Sequence, residues 1–245
     1  MTSRIDIAML PVEALELEAD CYVVVDVLRA TTTIATLFGA GLTSVLAVND
    51  VDVARDRAAN EQRLLFGEIR GLKPDGFDFG NSPLEARDAP VPGRGGVLFT
   101  TNGTAALCTL AGRGKVVTGA VANVSAVASF AAGFERVVVV CAGNHSGKVF
   151  SLEDFSAAAM IAGALRDLAP GAALGDGAVL GLDAMHDVWL EKGLMQSRHA
   201  GLLVGLGLEA EVEFCGEADT SAAVPMVVGC GEGWALLKDR RNLRR

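Results

Sequence analysis

The chain has 245 residues, a formal net charge of −9, 51% hydrophobic residues and 21% charged residues. That length buries a full core in one large domain or two small ones, and the apolar fraction excludes a disordered chain. The acidic balance excludes a broad nucleic-acid surface, no apolar run reaches the roughly 18 residues of a membrane helix, and the opening MTSRIDIAMLPVEA lacks the regions of a signal peptide, so the expected compartment is cytoplasmic.

Residues 5–10 and 22–26 read as the first two strands, the second a β-branched run ending at Asp26. Residues 32–38 follow as a helix closed by Gly39 and Gly41. Residues 43–48 read as a strand, 51–62 as an amphipathic helix with Arg55, Asp56 and Arg57 on its wet side, and 64–67 as a strand. The segment 68–92 is glycine-rich with little periodicity, and long irregular loops in compact domains are usually functional. Residues 96–100, 115–118 and 136–142 read as strands, with helices at 103–110 and 124–132 between them. Helices are expected at 152–168, 183–192 and 197–205, then a closing hairpin of 224–230 and 234–237. Strand–helix alternation through about the first 170 residues argues a mixed, mostly parallel sheet covered on both faces. One compact domain over residues 1–245 is favoured, with a two-lobed duplication as the alternative. Cys21, Cys108, Cys141, Cys215 and Cys230 have no CxxC spacing and read as reduced core thiols.

Several joints between strands and helices carry polar residues. Asp26 ends a strand, and Arg29, Thr31, Thr32 and Thr33 lead into a helix. Ligands bind at such strand ends, and helix N-termini attract phosphate. Glu68 also follows a strand, and the two carboxylates suit Mg²⁺, which takes a few carboxylates plus water. The loop continues through Lys73, Asp78, Asn81 and Ser82; its bland reading is a turn-rich loop in which Asn81 and Ser82 cap a short helix begun at Pro83. Thr101, Asn102, Gly103 and Thr104 offer hydroxyls and N–H groups to a phosphate or sulfonate, or ordinary N-capping by Thr101 or Asn102.

The run from Cys141 to Lys148 is no Walker A loop, because Ala142 and Val149 stand where Gly and Ser or Thr are required. It is no tyrosine-phosphatase loop either, since Gly147 occupies the arginine position. Cys141 reads as the buried end of a strand, with His145 and Lys148 placed to meet an anion. Ser151 and Asp154 have capping-box spacing, and Glu153 or Asp154 is a candidate further metal ligand. His186 and His199 lack zinc spacing. Glu209, Glu211, Glu213 and Glu217 read as a solvated acidic face, and Arg240, Arg241, Arg244 and Arg245 as a solvated tail.

Together the segments VVVDVLRATTTI, FGEIRGLKPDGFDFGNSP, LFTTNGTAAL, VVVVCAGNHSGKVFSLEDFSAAAMIAGAL and SRHAGLLVGLGLEAEVEFCGEADTSAAVP resemble, in order, the 2-phosphosulfolactate phosphatase family. The resemblance implies a three-layer α/β/α fold of the family's own rather than a haloacid-dehalogenase-like one. It implies Mg²⁺-dependent hydrolysis of 2-phospho-3-sulfolactate to 3-sulfolactate and phosphate, a coenzyme M biosynthesis-type step. Phosphoryl chemistry then assigns Asp26, Glu68 and one of Glu153 or Asp154 to the metal. Arg29 and the Thr31–Thr33 and Thr101–Thr104 N–H groups are assigned to the phosphate, and Lys73 or Lys148 to the sulfonate or carboxylate. Asn81 and Ser82 complete the substrate-binding set. A covalent route through Asp26 competes, weakened because Leu28 stands where a dehalogenase-type second acid is needed. A phosphatase for another small phosphorylated acid and a non-catalytic sensor of an anionic metabolite remain open, as does a homo-oligomer.

Overall fold

The computed structural model describes residues 2–184 and 194–243. In chain order its elements are β1 (Arg4–Ala8), α1 (Pro11–Glu16), β2 (Cys21–Val25), α2 (Ala30–Gly39), β3 (Ser44–Val48), α3 (Val51–Glu61), β4 (Leu64–Gly67), β5 (Phe79–Gly80), α4 (Pro83–Asp88), β6 (Gly95–Phe99) and α5 (Gly103–Leu110). Then come β7 (Lys115–Gly119), α6 (Val124–Ala131), β8 (Arg136–Cys141), α7 (Leu152–Leu168), β9 (Ala173–Leu174), α8 (Asp176–Ala184), α9 (Arg198–Gly205), α10 (Glu209–Cys215), β10 (Pro225–Gly231) and β11 (Trp234–Asp239).

The strands form one sheet in the order β5-β4-β6-β3-β11-β10-β7-β2-β8-β1-β9. Strands β5, β4, β6 and β3 run parallel to one another, as do β7, β2, β8, β1 and β9. The C-terminal hairpin β10–β11 lies between the two blocks and pairs antiparallel with β7 on one side and β3 on the other. The blocks therefore run in opposite directions. Five strand steps separate β6 from β2. At roughly 20–25° of twist per step, the accumulated rotation is on the order of 100°, enough to turn the C-terminal ends of both blocks toward one place.

Side chains alternate across the strands, so each face has its own core. Val23, Val25, Val137 and Val139 pack under α6 and α7. Tyr22, Val24, Val138 and Val140 share the opposite core with Ile34 and Leu37 of α2 and Leu107 of α5. On the far side of the β4–β6–β3 block, α3 packs Ala54 and Ala58 on Leu46, Leu65 and Val97. Helices thus cover both faces of a mixed, mostly parallel sheet, a three-layer α/β/α arrangement.

Several short elements depart from the reading of the sequence. Helix α1 has six residues and no side-chain cap, so neither periodicity nor capping announces it. The segment 68–92 holds β5 and α4. Helix α8 is described over Asp176–Ala184, and the helix expected at 183–192 lies almost entirely outside the described residues, with His186. Helix α10 hides behind its acidic residues yet buries Glu211, Val212 and Cys215. All five cysteines are free, but Cys230 is exposed and Cys108 half-buried, so not every thiol belongs to the core. Arg241 pairs with the buried carboxylate of Asp239 at 2.7 Å; Arg244 and Arg245 fall outside the described residues. Among the described residues no helix is long and apolar enough to cross a membrane.

Candidate functional site

The strand end at Asp26 is the centre of a buried polar cluster. Thr31 turns the chain there: its Oγ1 donates to the Asp26 carbonyl at 2.9 Å and accepts from the Asp26 N–H at 3.1 Å. Thr32 Oγ1 donates to the Val27 carbonyl at 2.8 Å. Both hydroxyls are therefore spent on the turn, and of the N–H groups assigned to the phosphate those of Thr31 and Thr33 donate to the Asp26 and Arg29 carbonyls at 2.9 and 2.8 Å. The Asp26 side chain, 6% exposed, faces two helix N-termini. Ala30 N–H of α2 donates to Oδ1 at 3.2 Å, and the Gly103 N–H of α5 also donates to the carboxylate. A Cβ at position 103 would stand 2.6 Å from Asp26 Oδ2 and 2.6 Å from Ala30 Cβ, so this approach requires glycine.

Thr100 and Thr104 close the start of α5 by exchanging backbone-to-hydroxyl bonds at 3.1 Å each. Neither Thr101 nor Asn102 provides the expected cap. Instead Thr101 N–H donates to Glu68 Oε1 at 2.8 Å, and Asn102 Oδ1 accepts from Ser146 N–H at 2.9 Å, tying this loop to the one after β8. Glu68 also accepts from Gly71 N–H at 2.7 Å.

The third helix N-terminus is that of α7. Ser151 Oγ accepts from Asp154 N–H at 3.2 Å, but among the described residues the Asp154 carboxylate takes no bond from the Ser151 N–H. It reaches across to Val27 N–H at 2.9 Å and Gly143 N–H at 3.1 Å. The capping box is half made, and Asp154 is a clamp between the ends of β2 and β8. Glu153, 3% exposed, receives no hydrogen bond among the described residues. Burial pushes the Asp26 carboxyl up to about 7; the Ala30 N–H opposes this, and the charges of Glu68 and Glu153 reinforce it. Asp154 is raised well above the usual carboxylate range by burial, then by Asp26 and Glu153. Among the described residues no three carboxylate, imidazole or thiol groups converge tightly enough to hold an ion by themselves.

The cations are arranged differently from the expectation. Arg29 is buried, with one nitrogen paired to Glu211 and another donating to the Gly71 carbonyl at 2.7 Å. Glu211 is therefore no part of a solvated face, although Glu209, Glu213 and Glu217 are exposed. Lys73 is exposed, donates to the Asp78 carbonyl at 3.4 Å and lines a separate depression with Asp78 and Glu85. Lys148 is exposed on the loop after β8. Ser82 accepts from Glu85 N–H at 3.1 Å and so caps α4, as its bland reading supposed. Asn81 is buried, with no partner for Oδ1 among the described residues; because Gly80 pairs with Gly67, it follows its strand beside Glu68.

A cavity of about 530 Å³ opens over the cluster, lined at its polar end by Glu68, Thr101, Asn102 and His199. A smaller one of about 240 Å³ adjoins it through His199 and reaches Glu153 and Arg198. Burial lowers the His199 pKa against the opposing pull of Glu153 and Glu68, and Arg29 adds to the lowering. His199, Arg70 at the mouth and Arg198 are site residues that spacing alone did not single out. The available signals were Arg70 lying between Glu68 and Gly71, and His199 in the first turn of a helix capped by Ser197.

Residues 9–229 match the family model described as 2-phosphosulpholactate phosphatase. A Thermotoga petrophila protein named "Probable 2-phosphosulfolactate phosphatase" is 37% identical over 237 residues, covering 96% of this chain and 99% of its own length. Its namesake from Thermotoga maritima is 36% identical over the same shares. One from Gloeobacter violaceus is 39% identical, covering 86% of this chain and 90% of its own.

Proposed function

The chain belongs to the 2-phosphosulpholactate phosphatase family, and from that premise we propose that it hydrolyses 2-phospho-3-sulfolactate to 3-sulfolactate and phosphate with Mg²⁺ as cofactor. The observation that carries this reading is the meeting of Asp26, Glu68, Glu153 and Asp154, all buried, at the N-termini of α2, α5 and α7 beside an open cavity. Buried carboxylates gathered in one place are costly unless a cation shares their site.

The donor set fits Mg²⁺, which needs only one or two carboxylates, with water and substrate phosphate completing its shell. Glu153, without a donor of its own among the described residues, and Asp26 are the proposed ligands, with Glu68 beside them at the wall of the larger cavity. Asp154 is left as the clamp between the ends of β2 and β8. Bound there, Mg²⁺ would neutralise charge on the phosphoryl oxygens and acidify a water. Asp26 is held in one orientation by Ala30 and Gly103, and Leu28 stands where a dehalogenase-type second acid is needed, so a ligand role is preferred to a covalent one. Thr101 and Asn102 offer polar groups to the ester, and Arg70, Arg198 and His199 replace Lys73 and Lys148 as the proposed partners of its other anionic groups. Water adds across the P–O ester bond: its oxygen goes to phosphorus and its proton to the leaving alkoxide. The assignment to a coenzyme M biosynthesis-type step rests on the family resemblance alone.

The test is phosphate release from 2-phospho-3-sulfolactate with Mg²⁺ and with chelator. Release that needs the metal is expected. Release indifferent to chelator would remove Mg²⁺ from the reading, and no release under either condition would remove the activity.

A further inference from the structure

Residues Ile69–Leu72, just after β4, make a tight two-residue turn. Ile69 N–H donates to the Leu72 carbonyl at 2.9 Å, and Leu72 N–H donates to the Ile69 carbonyl at 3.2 Å. Arg70 at φ 55° and Gly71 at φ 84° are both left-handed, the pattern of a type I′ turn. Arginine rarely adopts that conformation, and Ile69 and Leu72 are 43% and 53% exposed, so the turn has little packing of its own. Its restraint converges on Gly71. The Gly71 N–H donates to Glu68 Oε2 at 2.7 Å, and its carbonyl accepts from an Arg29 guanidinium nitrogen at 2.7 Å. A second Arg29 nitrogen is paired with Glu211 of α10.

The turn carries two charged groups to the larger cavity: Glu68 at its polar end and Arg70 at its mouth. Arg29 itself is buried and, among the described residues, lines neither cavity over the cluster. We propose that Arg29 and Glu211 are positioning residues, which hold the turn by the Gly71 carbonyl and so fix Arg70 and the Glu68 carboxylate at the cavity. Arg29 acts through the turn and does not touch the phosphate. Its planar fork meets a carboxylate with one nitrogen and a carbonyl with another, which the compact ammonium of lysine does not reproduce. Glu211 supplies the counter-charge that lets a buried guanidinium spend its second arm on a backbone carbonyl. This deepens the phosphatase reading and rests on it.

The test uses the whole protein with Arg29→Met and Glu211→Leu together. That pair of changes leaves no buried charge unpaired, so the variant is expected to fold. Amide hydrogen exchange over residues 68–72 should then quicken by about tenfold or more, the loss of one charge-assisted bond, with exchange in the central strands unchanged. kcat/KM for phosphosulfolactate should fall about ten- to a hundredfold, mainly through KM. Arg70→Ala should raise KM about tenfold in the parent but less than about threefold in the double variant, because a freed turn no longer presents Arg70. Arg29→Lys keeps the charge beside Glu211 and loses the fork; it should show the same faster exchange and the same muted Arg70 effect, and it stands in should the double variant not fold.

Unchanged exchange over residues 68–72 in the altered proteins overturns the proposal, since the pair would then serve the fold alone. The full tenfold cost of Arg70→Ala in the altered proteins also overturns it, and returns Arg29 to the phosphate itself. Either result, with phosphosulfolactate still hydrolysed by the parent, leaves the phosphatase reading standing. No phosphate release by the parent, with or without Mg²⁺, removes that reading and this proposal with it.

Discussion

Asp26→Asn removes one negative charge from the buried carboxylate cluster while keeping the side chain's shape. In the folded protein the Asp26 pKa stands at about 7 against 3.8 for the free group, about three units. At about 1.4 kcal/mol per unit, ionised Asp26 costs the fold about 4 kcal/mol above pH 7. The direction follows from proton binding. The folded state holds the proton more tightly, so stability falls as pH rises from about 4 to about 7, then levels. Asparagine escapes that cost but turns an NH₂ toward one of the two backbone donors, Ala30 or Gly103, losing about 1–2 kcal/mol. In chelator, the variant is therefore expected to be about 2–3 kcal/mol more stable than the parent at pH 8 and about 1–2 kcal/mol less stable near pH 4. Urea unfolding at the two pH values measures both. Mg²⁺ at pH 8 should narrow the difference by stabilising the parent selectively. Phosphate release should fall at least about a hundredfold, given that even groups behind metal ligands commonly cost 10- to 100-fold. An identical stability difference at both pH values would refute the electrostatic account of Asp26.

The two neighbouring acids on α7 should separate. Glu153→Gln is expected to lose about tenfold or more in activity and to require higher Mg²⁺, with folding little changed, whereas Asp154→Asn should cost about 1–3 kcal/mol in urea unfolding near pH 4, where no buried charge is relieved and its two backbone bonds cannot both survive. Glu211→Gln leaves the Arg29 guanidinium buried without its counter-charge and should destabilise by about 3–5 kcal/mol; replacing both with apolar residues should recover much of that stability, as thermal unfolding will register. Gly103→Ala should cost about 1–3 kcal/mol and reduce activity, since its methyl collides with both Asp26 and Ala30. Lys73→Ala should leave stability within about 0.5 kcal/mol, and phosphate release near the parent's, because that side chain lies on a separate depression.

Much of the site was legible because it sits where local chemistry changes character. A β-branched run stopping at Asp26, and a second strand stopping at Glu68, mark the ends of β2 and β4 without any tertiary information. Ser151 announces the start of α7, and the strand–helix alternation announces the layered sheet. The same local view does not say where hydroxyls and cations end up. Thr31, Thr32 and Thr104 look like phosphate ligands because they stand at helix starts, but short side chains there bond most readily to their own backbone. Lys73 and Lys148 suit an anion by their charge, which says nothing of where their loops lead.

What the sequence by itself determined is therefore the set of strand and helix ends, because β-branched runs, caps and glycines act over a few residues. What only the tertiary structure decided is which ends meet. The hairpin β10–β11 enters the middle of the sheet, reverses one block against the other and lets twist bring Asp26 and Glu68 to one cluster. Arg29 finds Glu211 across 182 residues, and Val27 finds Asp154 across 127. Bonds that distant leave no period in a local window. They are fixed by the burial of whole faces, which is settled only when the sheet is complete.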